Sequence, residues 1–284
     1  DGSGPMKLAL SLQVPLRRSH DTTLVGRLSF LGDTLLPPGL PRLDQTRGDI
    51  DFTGDSLAAK NITAQFLGGP LRLDTQTRSG QVQILAQGRA TAAGLTSWLG
   101  TAWKDQVSGQ TAWRGQIDLE PAGERVRIES DLTGLGSSLP APLAKAATQP
   151  LPLVVTSQPQ TNGQLHDVQL GRIVGAVWRS TAEGQFDRGE LRFGGRAVMP
   201  GEPGLRLAGN GRGLDISGWM DLLPGGEPLS LSAIDLSFDA LDLMGRRYQD
   251  IRLQGRNRSG LLRAQVSGTG LNGVLTYRPA GNQP

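Results

Sequence analysis

Apolar and polar side chains alternate with a period of two through almost the whole chain, and this limits the fold more than any other feature. Leu8, Leu10, Leu12 and Val14 alternate with Lys7, Ala9, Ser11 and Gln13, so the apolar set falls on one face of a strand. The pattern returns at Leu28 and Phe30, Ile50 and Phe52, Ile62 and Phe66, Leu71 and Leu73, Val82 and Ile84, Ile117 and Leu119, and Val126 and Ile128. It continues at Leu151 and Leu153, Leu205 and Leu207, Leu236 and Phe238, Ile251 and Leu253, and Leu262 and Val266. Arg, Gln, Asp, Thr and Ser occupy the other parity. Each predicted strand therefore has one dry and one wet face, which favours antiparallel pairing. Turns such as Arg78-Ser79-Gly80, Ala122-Gly123-Glu124 and Arg258-Ser259-Gly260 read as hairpin connections.

The 40 Gly and 18 Pro of the 284 residues leave little room for long helices. Three segments depart from the strand pattern, and each is predicted to form about two turns of helix docked on the dry face. They are Thr91 to Leu99, with Trp98; Leu139 to Ala147, with Leu143; and Leu214 to Leu223, with Trp219. About 18 strands at ~4.8 Å each would make a sheet roughly 85 Å wide, which must curl, split or close. A sandwich would need bulky side chains to fill it, yet only 6 Phe, 5 Trp and 2 Tyr are present. The expected fold is all-β: a long curled antiparallel sheet forming an open apolar groove, with a few short helices. The paired apolar positions named above are its candidate lining.

Most chemistry is excluded by composition. No cysteine is present, which removes disulfides, thiolate catalysis and cysteine-bound metal. The net charge is +3 without any dense Lys/Arg run, so nucleic acid is not an expected partner. The longest uncharged stretch, Ala146 to His166, is interrupted by Pro150, Pro152 and Pro159 and does not read as a membrane span. Gly268-Thr-Gly270-Leu-Asn-Gly273 matches a dinucleotide fingerprint in letters only, because strand-like sequence rather than a helix follows it. His20 and His166 lack metal-ligand spacing and read as solvated or hydrogen-bonded. Asp33, Asp44, Asp49, Asp51 and Asp55 read as turn-forming or solvated. Ser137, Ser138 and Lys145 match no nucleophile motif. The chain is thus expected to be no enzyme, with no catalytic residues, metal or cofactor.

The order of local motifs resembles the YhdP branch of the AsmA-like proteins, relatives of TamB and of the bridge-like lipid-transfer proteins. The resemblance rests on Ile62-Thr-Ala-Gln-Phe66-Leu67-Gly68-Gly69-Pro70, Trp113-Arg-Gly-Gln-Ile117, Ile128-Glu-Ser130-Asp131-Leu132-Thr-Gly134-Leu135 and Leu139-Pro140-Ala-Pro142-Leu143-Ala-Lys145. Leu214-Asp-Ile-Ser-Gly-Trp219 and Leu243-Met-Gly245-Arg246-Arg-Tyr-Gln-Asp-Ile251 continue the order. It implies a segment of a periplasmic protein of a diderm bacterium, anchored in the inner membrane by parts outside this sequence. Its ligand would be phospholipid, carried between inner and outer membranes with its acyl chains shielded in the groove. A noncatalytic envelope scaffold or protein-binding β-domain is the alternative. Residues 1–6 read as a proteolytic remnant, and 7–284 as one elongated segment, with a sub-division near 148.

Overall fold

The computed structural model describes residues 2–13, 23–37, 39–54, 56–78, 81–222 and 230–278. Its first half contains β1 (Gly2–Ser3), β2 (Met6–Gln13), β3 (Thr23–Leu35), β4 (Leu43–Thr53), β5 (Leu57–Phe66), β6 (Gly69–Arg78), β7 (Gln81–Thr91), α1 (Ala92–Leu99), β8 (Val107–Glu120), β9 (Gly123–Ser130) and β10 (Leu135–Ser137). The second half adds β11 (Leu153–Gln160), β12 (Gly163–Leu170), β13 (Val174–Ser180), β14 (Phe186–Phe193), β15 (Gly204–Asp215), α2 (Ile216–Leu222), β16 (Leu231–Leu243), β17 (Arg246–Arg258), β18 (Leu261–Thr269) and β19 (Leu271–Tyr277). The strands belong to one open sheet. From β2 to β9 each pairs with the next, β9 pairs with β11, and the series then runs unbroken to β19. Short β1 and β10 attach to β3 and β8.

The sheet is mixed, which corrects the expectation of antiparallel pairing throughout. β14–β15 and β15–β16 are parallel, because the chain returns from one end of the strands to the other before each new strand. The first return, residues 194–203, crosses the polar face. Val198 N donates to Glu190 Oε1 at 3.1 Å, and an Arg188 guanidinium nitrogen donates to the Gly201 carbonyl. Beneath it Glu190 and Ala208 are 1% exposed and Val177 6%. Here the face expected to be wet is covered. Glu190 is tolerated there because Arg192 lies 2.7 Å away and Arg206 3.5 Å away.

Bulges bend the sheet. Gly32, Gln45 and Asn61 have φ of 118°, 54° and 56°, and register shifts accompany them in β3, β4 and β5. Each inserts one residue, so Phe30 and Asp33, Leu43 and Thr46, and Ala59 and Ile62 are all buried although spaced by three. Asp33 therefore departs from its expected solvated role: it is 1% exposed, and its Oδ2 accepts from Leu31 N at 2.7 Å.

Two of the three predicted helices form. α1 starts at Thr91, whose Oγ1 accepts from Gly94 N at 3.1 Å, an ordinary N-cap. Gly94 is required because a Cβ there would lie 2.0 Å from Leu67 O. α2 starts at Asp215, whose Oδ1 accepts from Gly218 N at 2.9 Å. Leu139 to Ala147 forms no helix. Pro140 and Pro142 remove two donors and restrict the residues before them, while Ser137 and Lys145 exchange backbone hydrogen bonds of 2.9 and 2.8 Å. The result is a strap, residues 131–152, between β9 and β11.

That strap ties distant strands together. Asp215 N donates to Ala141 O at 3.3 Å and Trp219 Nε1 to the same oxygen at 3.0 Å, while Ser137 pairs with Val107 of β8. Along the sheet β8 and β15 lie about six spacings, or ~29 Å, apart. The stretch from Ser137 to Ala141 reaches at most ~14 Å, so the direct distance is shorter than the contour and the sheet curls between them.

Candidate functional site

The strand registers bring nearly all the candidate lining positions to one face. A transverse row of directly paired residues runs Ile62, Leu73, Ala86, Gly115, Ile128, Val155, Val168, Ala176, Leu191, Leu207, Ile234, Gly255, Ala264 and Leu275. Parallel rows on the same face pair Val82 with Leu119, Ile84 with Ile117 and Ile117 with Val126. Leu236 pairs with Leu253, Phe238 with Ile251, and Leu253 with Val266. Leu205 pairs with Leu231, Leu262 with Tyr277, and Leu153 with Leu170. Leu71 pairs with Ala64 and Phe66 with Gly69. At the N-terminal edge Leu8 pairs with Leu28, Leu28 with Ile50, Leu10 with Gly26 and Gly26 with Phe52; Met6 faces Phe30, and Leu12 faces Leu24. Leu151 lies in the strap, buried at 9% exposure, and Val14 lies outside the described residues.

Sequence parity missed members of this face where a bulge shifts the register, as at Asp33, Thr46 and Ala59. Ala64 and Ala264, 5% and 0% exposed, follow the alternation of their strands, whereas Ala59, 2% exposed, is of the opposite parity to Ile62 and reaches this face only through the bulge at Asn61. The clusters around Phe30 and Ile62, around Leu43 and Leu71, and around Ile234 and Leu262 are packed by neighbours in the same sheet. Side chains on a flat single-layer sheet keep about half their surface in water; burial this deep requires the sheet to curl toward the apolar face.

The other face is charged and laced across strands. Arg27 holds Asp51 at 2.6 Å and Arg114 holds Glu129 at 2.6 Å. Arg127 also pairs with Glu129, and Arg179 with Asp187. Hydrogen bonds from these arginines hold Asp51, Glu129 and Asp187 below the usual carboxylate range. This face also carries a hollow of about 1050 Å³ across β4 to β11.

The remaining polar candidates resolve into structural roles. His166 stacks on Trp178 at 4.8 Å, its Nε2 lies 3.3 Å from Ser180 Oγ, and burial pushes its pKa down. Lys145 donates to the carbonyls of Leu132 and Leu135, pinning the strap. Gly270, with φ of 73°, turns β18 into β19, as a hairpin rather than a phosphate loop. His20 and Asp55 lie outside the described residues. Among the described residues no three His, Cys, Asp or Glu side chains are grouped to hold a metal, and no helix is long and apolar enough to cross a membrane.

α1, the strap and α2 all gather at one end of the strands. Thr91 pairs with Gln110 near the start of β8, β9 leads into the strap there, and β15 leads into α2. Trp98 is 50% exposed, whereas Trp219 is drawn in by its bond to Ala141. Both helices thus lie at this end of the strands, α1 beside β7 and β8 and α2 beside β16.

An open β-sheet that is apolar on one face and charged on the other, and curls over the apolar side, defines a groove-forming class of protein. The particular family follows from comparison: the family described as YhdP protein matches residues 1–284, and the chain belongs to it. It is 30% identical over 183 residues to the intermembrane phospholipid transporter YhdP of Escherichia coli strain K12, a match covering 61% of this chain and 14% of that protein. The chain thus spans a small part of its relative's length. No solved structure matches it.

Proposed function

We propose that this chain is a noncatalytic segment of a lipid-transfer protein whose apolar face shields phospholipid acyl chains while the head group stays in water. The observation that carries this reading is the unbroken apolar row from Ile62 to Leu275, passing through fourteen strands without a charged residue. A phospholipid has roughly 30 methylenes, and exposing them at ~0.8 kcal/mol each would cost about 24 kcal/mol. A continuous dry surface lowers that barrier at every step. Its aliphatic lining is nondirectional, so a chain can slide without a tight binding station. The similarity to an intermembrane phospholipid transporter supports phospholipid as the ligand and the aqueous space between two envelope membranes as the location, with the rest of a longer protein making the membrane contacts.

The test is site-specific photo-cross-linking in the presence of phospholipid. A photoreactive side chain replacing Ile84, Ile128 or Leu253 should capture lipid, and one replacing Gln83, Arg127 or Gln254 should not. Ile128→Arg should lower capture at Ile84 while leaving the β-sheet circular dichroism signal unchanged. Equal capture on both faces, or none on the apolar face of a folded protein, would sink the proposal and favour a scaffold whose dry face is simply core.

A further inference from the structure

The hollow on the polar face has the makings of a second ligand site, separate from the apolar groove. Its volume is about 1050 Å³, at the upper end of the range that holds a small organic ligand. Each strand from β5 to β9 contributes flanking side chains of the polar parity, and the backbone between them forms the floor. Four arginines are among its lining residues, Arg47, Arg72, Arg89 and Arg114.

Their charge is only half compensated. The lining carboxylates are Glu129 and Asp131. Glu129 is already held by Arg114 and Arg127, and Asp131 Oδ1 accepts from Thr133 N at 2.9 Å. Arg72 is paired with Asp74 at 3.2 Å. Arg47 and Arg89 have no acidic partner among the described residues, and they sit on β4 and β7, about three spacings or ~14 Å apart across the floor. Two long side chains at that separation can turn toward one ligand between them, and Gln65 on β5 and Gln87 on β7 add amide donors. Planar guanidinium forks favour oxyanions with several acceptor oxygens.

We infer that this hollow binds a phosphate ester, with Arg47 and Arg89 as its principal contacts. The inference stands independently of acyl-chain shielding, since it concerns the opposite face. Isothermal titration of the protein with sn-glycerol 3-phosphate, and separately with short-chain phosphatidylglycerol below its micelle concentration, tests it. Saturable binding should weaken at least about tenfold in Arg47→Gln/Arg89→Gln. Arg256→Gln/Arg263→Gln removes the same charge outside the hollow and should leave binding unchanged. Comparable affinity for the two probes supports a site for the free ester; tighter binding of the phosphatidylglycerol supports a lipid head group. No saturable binding of either probe, or equal loss in both double variants, would overturn the inference. All four arginines are exposed, and melting curves will show that the variants stay folded. Cross-linking on the apolar face reports on acyl chains alone, so either idea can fail without the other.

Discussion

Leu8, Leu10 and Leu12 on β2 are 56%, 58% and 61% exposed, whereas Ile234, Leu236 and Phe238 on β16 are 5%, 8% and 3% exposed. Both triplets show the same alternation, and both point to the same side of the same sheet. Among described residues, β2 has a single flanking strand, β3, while β16 lies between β15 and β17 and packs against Phe193, Leu207, Leu253 and Leu262. Parity selects the face, and the number of neighbours selects the burial. The apolar surface therefore serves two ends: at its centre it holds the sheet together, and along β2 it lies open to whatever apolar ligand reaches it.

The largest test of that contrast is truncation at each place. Phe238→Ala should cost about 3–5 kcal/mol of stability by denaturant unfolding, and Leu10→Ala within about 0.5 kcal/mol. Similar losses would mean that β2 is covered in solution. Next comes the covered part of the polar face: Glu190→Gln should cost about 3 kcal/mol by leaving Arg192 and Arg206 uncompensated beneath the 194–203 crossing. The equivalent change at exposed Glu124 should leave the melting temperature unmoved. Gly94→Ala should loosen α1 by about 1–3 kcal/mol, read as faster amide exchange in 92–99 with no change in β16.

The smallest effect separates the faces by pH. Burial lowers the pKa of His166 from the ordinary 6.5, so the unfolded chain takes up its proton first as pH falls. Its contribution is complete above about 6.5 and is lost as pH drops through the lower folded value. The arginine-bound carboxylates Asp51, Glu129 and Asp187 are also depressed, from ordinary values of 3.8, 4.5 and 3.8, and lose their contribution only in stronger acid. His166→Asn should flatten the melting temperature between pH 7 and 5 and leave the steeper acid fall in place. An unchanged slope in that window would show that His166 is solvated.

Much of this surface could be read from residues two apart, because a strand can present its side chains only to alternate sides. The reading weakened wherever the backbone departed from that rule. The bulges at Gln45 and Asn61 put a non-glycine residue at positive φ and move the following side chains by one, and no composition signal marks them. The 139–147 segment has helical apolar spacing, but its two prolines and the Ser137–Lys145 pairing outweigh that local preference. The phosphate-ester hollow was invisible for a different reason: Arg47 and Arg89 are 42 positions apart in sequence and are brought to the same hollow only through three successive strand pairings.

Alternation with short turns is enough to dictate strands, their dry and wet faces, and an all-β sheet too wide to lie flat, since these follow from local geometry and the cost of exposing apolar area. Strand direction at β15, the crossing that buries Glu190, the strap bonded to Trp219 and the depth to which each leucine is buried depend on contacts between distant residues. Those contacts form only when the entropy of closing long loops is outweighed by what they bring together, and nothing in a short stretch of sequence records that balance.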